Sequence, residues 1–187
     1  MMVDYLCYRA PAPIEIDGCL DKEAWRNAPC MPRFGKIADG TLAPFGTQAA
    51  MLWDEHNFYV SFRLDERDVW STQEKRRGLV WQENTVEVFI SGSGAYYQLS
   101  LNPMNRTSEI IFIWKDSYTR GGRYDVPEFN LAEHRPMVFG GDSGPHDPRG
   151  MRWGFTRWHF PGLQTAVKVE GALNDRNAID RGWNVEL

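Results

Sequence analysis

The stretch Trp81-Gln82-Glu83-Asn84-Thr85-Val86-Glu87 holds residue types that could do chemistry. In an extended segment successive side chains point to opposite faces, so Glu87 opposes Val86 and Val88 and joins a polar face while the valines fill a core. Further on, Gln98, Ser100 and Asn102 alternate in the same way with Tyr97, Leu99 and Leu101. If the two stretches pair, Glu87, Gln98, Ser100 and Asn102 share one sheet face with the indole of Trp81 at its rim. Recognition of a pyranose needs that combination: an aromatic plane for the apolar C–H face and fixed carboxylate and amide groups for the hydroxyls. The same residues have a plain structural reading, with Trp81 in the core at the start of a strand and Glu87 paired to Arg63 or facing water. Residue types alone leave both open.

Other constellations carry less. A glycosidase needs two carboxylates about 5 to 10 Å apart across a cleft, and Glu87 with Asp65 or Glu109 are the available pairs, with nothing to separate them from ordinary sheet carboxylates. Gly92-Ser93-Gly94 joins two strands rather than a strand to a helix, so it reads as a hairpin turn and not a phosphate cradle. Gly141-Asp142-Ser143-Gly144 echoes the nucleophile loop of chymotrypsin-like proteases without the histidine setting that a triad requires. The histidines at 56, 134, 146 and 159 lack metal-ligand spacing, and Cys7, Cys19 and Cys30 give neither a zinc site nor a full disulfide framework. Asn105-Arg106-Thr107 is a formal glycosylation sequon.

The elements that must position these residues are short alternating strands. Phe58, Val60, Phe62 and Leu64 alternate with Tyr59, Ser61, Arg63 and Asp65, and Asp54-Glu55-His56-Asn57 has the turn chemistry to join them to a strand over 49–53. A second hairpin pairs 85–90 with 96–102, and further strands are predicted over 109–114, 165–169 and 183–187. No segment sustains a helical period, so the predicted class is all-β: an antiparallel β-sandwich, jelly-roll-like. Residues 115–162, rich in Gly, Pro, Arg and His, read as a long loop insertion.

Composition bounds the rest. The 187 residues suffice for one domain with a core, 42% are hydrophobic and 25% charged, and no apolar run is long enough to span a bilayer, so a membrane is not an expected partner. The net charge of -4 and the single short basic run Lys75-Arg76-Arg77 do not make a nucleic-acid surface. Eight tryptophans exceed what a core of this size needs, which places some at a binding surface. The first residues show no basic stretch followed by an apolar run, and the compartment is not readable.

The order and spacing of several segments resemble the family 9 carbohydrate-binding modules and the broader family 9-like proteins attached to xylanases and other glycoside hydrolases. Ile16-Asp17-Gly18-Cys19-Leu20-Asp21-Lys22-Glu23-Ala24-Trp25 is similar to the family's opening, 47–60 and 81–90 to two central segments, and Tyr96 to Pro103 to the strand that follows. Gly171-Ala172-Leu173-Asn174-Asp175 and Asp180-Arg181-Gly182-Trp183-Asn184-Val185-Glu186-Leu187 resemble patterns of the family 9-like branch.

The resemblance implies a sandwich, sugar binding often at chain ends, a non-catalytic role beside a glycoside hydrolase acting on xylan or cellulose, no cofactor, and a structural calcium ion in some members. Carried over residue by residue, Trp81 matches a stacking tryptophan, Glu87 the carboxylate that binds hydroxyls, and Asn102 an amide in the same cleft. Ser100 stands where binding members place an arginine, which removes a bidentate donor. The family's second stacking tryptophan lies beyond the segment equivalent to Trp183 to Leu187. The expectation is therefore that further strands follow, or that Trp153 or Trp158 supplies the second plane. The rival readings are a glycoside hydrolase and a haem-binding sandwich with axial Met, Lys or His ligands.

Overall fold

The computed structural model describes residues 4–76, 78–140 and 149–187. Arg77, the Gly141-to-Gly144 motif and His146 lie outside them. In chain order the elements are β1 (Tyr8–Arg9), α1 (Glu23–Asn27), β2 (Thr47–Trp53), β3 (Phe58–Asp65), β4 (Val86–Ser91), β5 (Ala95–Leu101), β6 (Thr107–Trp114), α2 (Leu131–His134), β7 (Met137–Phe139), β8 (Arg152–Phe155), β9 (Ala166–Glu170) and β10 (Gly182–Glu186). The all-β sandwich class is as the alternation predicts. Two five-stranded sheets, ordered β1-β2-β3-β10-β9 and β4-β5-β6-β8-β7, account for the described strands, and the only parallel pairing is β1 with β2. No described helix is long and apolar enough to cross a membrane.

The chain divides into two compact units. The first comprises Met1–Thr72, Pro103–Asn105 and Leu163–Leu187 and carries the sheet β1-β2-β3-β10-β9. The predicted β2–β3 hairpin forms, closed by Asp54, whose Oδ1 accepts from the backbone N–H of His56 and of Asn57, each at 2.7 Å. The alternation predicts that the second face of this strand, with Tyr59 and Ser61, meets solvent or ligand, and for these two residues that is corrected. Both are buried, because Ile14, Leu20, Trp25 and Ala28 from the N-terminal segment pack over that face against Ala50, Leu52 and Tyr59. A period of two marks which side chains share a face and cannot say which distant segment will cover the second one.

The opening motif has a structural purpose in this unit. Glu186, fully buried on β10, accepts from the backbone N–H of Asp17 at 2.9 Å and of Gly18 at 2.6 Å, from Lys22 Nζ at 2.7 Å and from Trp25 Nε1 at 2.5 Å. Gly18 has φ of 83°, and a Cβ there would sit 3.0 Å from the backbone N of Lys168, which explains the glycine. Burial pulls the Lys22 ammonium down, but its bonds to Asp17 and Glu186 outweigh that and hold it protonated above its usual range. The later motif works the same way. Asp180 accepts from the N–H of Val69 and of Ala172, and Asn174 exchanges two hydrogen bonds with the backbone of Ser71. Gly182, at φ of 145°, lies where a Cβ would collide with the carbonyl of Leu64.

The second unit comprises Gln73–Asn102 and Arg106–Gly162 and carries the sheet β4-β5-β6-β8-β7. The predicted 85–90 and 96–102 hairpin appears as β4 and β5, closed at Gly92, whose N–H donates to the carbonyl of Ala95 at 2.8 Å. Val86 and Leu99 are buried as expected, but Ile90 is 48% exposed because β4 is the edge strand and its far end runs past the core. The stretch 115–162 is not only loop. It supplies β7 and β8, which extend the sheet beyond β6, and packs Tyr118, Tyr124, Phe129 and Trp158 around Ile113 and Phe155. Strands of three and four residues are too short for alternation to rise above the surrounding Gly and Pro, so the pairing of β8 with β6 and of β7 with β8 decides them.

Candidate functional site

In antiparallel pairs, register partners share a face, which assigns every side chain of the second unit's sheet. Glu87 pairs with Ser100, and Ser100 with Ser108; Phe89 pairs with Gln98, and Gln98 with Ile110. Tyr96 pairs with Phe112, and Trp114 with Arg152. All these lie on one face. Leu99 and its partner Glu109 lie on the other.

Three predicted site residues meet on the first face. The Glu87 carboxylate is exposed, and its Oε1 accepts from Ser100 Oγ at 2.6 Å and from Gln98 Nε2 at 3.1 Å. Ser100 is itself buried, so it orients the carboxylate rather than offering a surface. Its hydroxyl holds Glu87 in place without adding charge. Trp81 lies in a 3-10 turn over Val80–Gln82 that packs beside β5, and the residue is 46% exposed. Burial of that extent is short of a core tryptophan and leaves a ring surface for a ligand.

Asn102 differs from expectation. It is fully buried, its Nδ2 donating to the carbonyl of Gln73 at 3.0 Å and its Oδ1 accepting from the N–H of Arg106 at 2.9 Å. The amide is spent on closing the β5–β6 turn, a use of Asn that alternation cannot distinguish from a ligand contact.

The second aromatic plane also differs. Trp153 shares a face with Ile113, opposite to Glu87, and sits edge-on to Tyr118 at 5.3 Å. Trp158 packs edge-on to Tyr97, whose strand position is likewise opposite. The face that bears Glu87 instead carries Phe89, Tyr96 and Trp114, with ring centroids 6.5 Å apart from Phe89 to Tyr96 and 5.8 Å from Tyr96 to Trp114. Tyr96 stacks on Phe112 at 4.6 Å, and Arg152 Nε donates to its hydroxyl at 2.7 Å. These residues were within reach of sequence reasoning: carrying the even-numbered parity of Gln98 back to Tyr96, and then across to Phe112 and Trp114, finds them.

The pairing of Glu87 with Glu109 does not make a catalytic dyad, because the two occupy opposite faces. Glu109 is 2% exposed and accepts from Tyr97 Oη at 2.8 Å, from the N–H of Phe160 at 2.8 Å and from Arg76. Burial first, and then this hydrogen bond, push the Tyr97 phenol far above its usual range, so it stays a donor. Asp65 belongs to β3 of the first unit. Among the described residues no three His, Cys, Asp or Glu side chains gather as a metal site. Apart from the sheet face, a cleft of about 320 Å³ in the second unit is lined by His134, Trp158 and His159.

No curated protein matches the chain. Residues 16–101, which run from the opening motif through Trp81, Glu87, Gln98 and Ser100, match the family model described as carbohydrate family 9 binding domain-like, a match that supports carbohydrate binding in general.

Proposed function

We propose that the chain is a non-catalytic carbohydrate-binding module for xylan- or cellulose-type polysaccharide, acting beside a glycoside hydrolase. The observation that carries this reading is the exposed Glu87 carboxylate, fixed by Ser100 and Gln98 on one sheet face, together with an exposed Trp81 in a turn that packs against β5 of the same sheet. Both of those hydrogen bonds engage Oε1, which leaves Oε2 directed to ligand hydroxyls at no cost in orientation. A neutral glycan offers hydroxyls for the carboxylate and amide and C–H faces for the indole. The separation of Glu87 and Glu109 onto opposite faces supports binding over hydrolysis, since cleavage needs both carboxylates across one bond.

The magnitudes suit a weak, reversible module. A sugar ring and an indole that remove about 80 Å² from water at about 25 cal/mol per Å² contribute about 2 kcal/mol. Hydrogen bonds to a charged carboxylate add about 1.5 to 3 kcal/mol each before ordering costs are subtracted. The expected Kd is micromolar to millimolar. Xylo- and cello-oligosaccharides titrated against intrinsic tryptophan fluorescence, with products assayed in parallel, test the reading. Saturable quenching without new reducing ends is the expected result. Turnover that survives purification, or no response to either series, overturns it.

A further inference from the structure

The carboxylate of Glu87 is held in place without being neutralised. Its two hydrogen-bond donors, Ser100 Oγ at 2.6 Å and Gln98 Nε2 at 3.1 Å, are uncharged, and both engage Oε1. Among the described residues no Lys, Arg or His forms an ion pair with it. The register explains why. On this face the row of Glu87 holds Ser100 and Ser108, the next holds Phe89, Gln98 and Ile110, and the third holds Ser91, Tyr96, Phe112 and Gly154. Arg152 comes only in the row after that, beside Trp114. Its guanidinium reaches back over the Tyr96 ring at 5.8 Å, which still leaves two rows, about 14 Å, to Glu87. That is longer than the screening length of about 8 Å at physiological salt. Arg106 stands in the β5–β6 turn, two strands across from β4, exposed and not paired to Glu87. Because β4 is the edge of its sheet, no further strand brings a cation to its other side.

Resting on the carbohydrate-binding reading above, we infer that the site selects glycans by charge: an amino sugar whose ammonium meets Glu87 Oε2 is preferred to the neutral sugar of the same shape, and a uronic acid is disfavoured. A hydroxyl gives Oε2 an ordinary donor. An ammonium gives it a charge-assisted hydrogen bond, shorter and roughly twice as strong as one between neutral groups, and brings the counter-charge that the protein does not supply. Gln98, whose amide nitrogen is engaged by Glu87, keeps its Oε1 as a further acceptor for the ammonium or a neighbouring hydroxyl. A uronate brings a second carboxylate to the same place and meets no lysine or arginine there. The net charge of -4 on the whole chain acts in the same direction.

Calorimetric titrations with cellobiose, chitobiose, N,N′-diacetylchitobiose and cellobiuronic acid, at low salt and about pH 6 where an amine is protonated, test the inference. Chitobiose carries the ammonium, and its acetylated form keeps the nitrogen without the charge. Chitobiose is expected to bind about three- to tenfold more tightly than cellobiose, the acetylated form no more tightly than cellobiose, and the uronic acid at least about threefold more weakly. Sodium chloride at about 0.5 M is expected to shrink the advantage of the amine to less than about twofold, since the pair is exposed. Glu87→Gln is expected to bring chitobiose and cellobiose to equal affinity. Gln98→Lys, which sets a cation beside the intact carboxylate, is expected to do the same, with unfolding midpoints checked for both variants. Chitobiose binding no tighter than cellobiose, an advantage matched by the acetylated form, or one that survives Glu87→Gln overturns the charge selection while leaving carbohydrate binding intact. Silence from every sugar overturns both.

Discussion

Replacing Trp81 with Ala separates a ligand-facing indole from a core one. A tryptophan side chain presents roughly 250 Å², and with 46% of the residue exposed about 100 Å² remains for a ligand in the free protein. A sugar ring laid on one indole face covers about 80 Å² of this, so truncation removes about 2 kcal/mol of binding, a loss of about thirtyfold in Kd. The folded protein loses only what the buried share contributes, which is less than about 3 kcal/mol, whereas truncation of a fully enclosed aromatic costs about 3 to 5 kcal/mol. Urea unfolding gives the second quantity and fluorescence-independent calorimetry the first. An unfolding loss above about 3 kcal/mol with affinity unchanged would refute the reasoning, because it would place the indole in the core and not at a ligand.

Four further outcomes are expected. Glu87→Gln keeps the shape and the hydrogen bond from Ser100 but removes the charge, and calorimetry should show oligosaccharide affinity falling by about five- to thirtyfold at unchanged stability. Glu186→Gln removes one of the two carboxylates that hold the partly buried Lys22 ammonium, leaving Asp17, and should cost up to about 3 kcal/mol in chemical unfolding, with sugar affinity of the folded fraction unchanged. Trp153→Ala, on the face opposite Glu87, should lower the unfolding midpoint without weakening binding; the reverse pattern would place the ligand on the wrong face. Acid titration should destabilise the first unit. Asp17, held down to about 2 chiefly by Lys22, and Asp54, held down to about 2 chiefly by the Tyr59 hydroxyl, both ionise more readily folded than unfolded. Their contribution is therefore complete above about pH 4 and lost as pH falls through about 2. Circular dichroism melts across that range check it, and Asp54→Asn should flatten the dependence.

The sequence by itself determined the strands long enough to show alternation and the parity of their side chains. Phe58 to Asp65, the hairpin read as 85–90 with 96–102 and found as β4 and β5, and the closing strand through Trp183 and Val185 could be read without coordinates, because a period of two repeated over five or more residues has few competing explanations. That parity also put Glu87, Gln98 and Ser100 on one face, as the register does. Long-range pairing decided everything else. Strand β8 forms on the edge that β6 offers and β7 on the edge of β8, and Trp153 turns away from Glu87 because the pairing of β8 with β6 fixes its side. Asn102 was legible as a polar residue of the right parity, but its amide is taken by Gln73 and Arg106, groups four and twenty-nine positions away. The family motifs were visible as patterns and opaque as physics until folding brought Asp17, Gly18, Lys22 and Trp25 to Glu186, more than 160 positions along the chain. A local pattern records which side of a strand a residue occupies; what it touches there depends on contacts between segments that are distant in sequence.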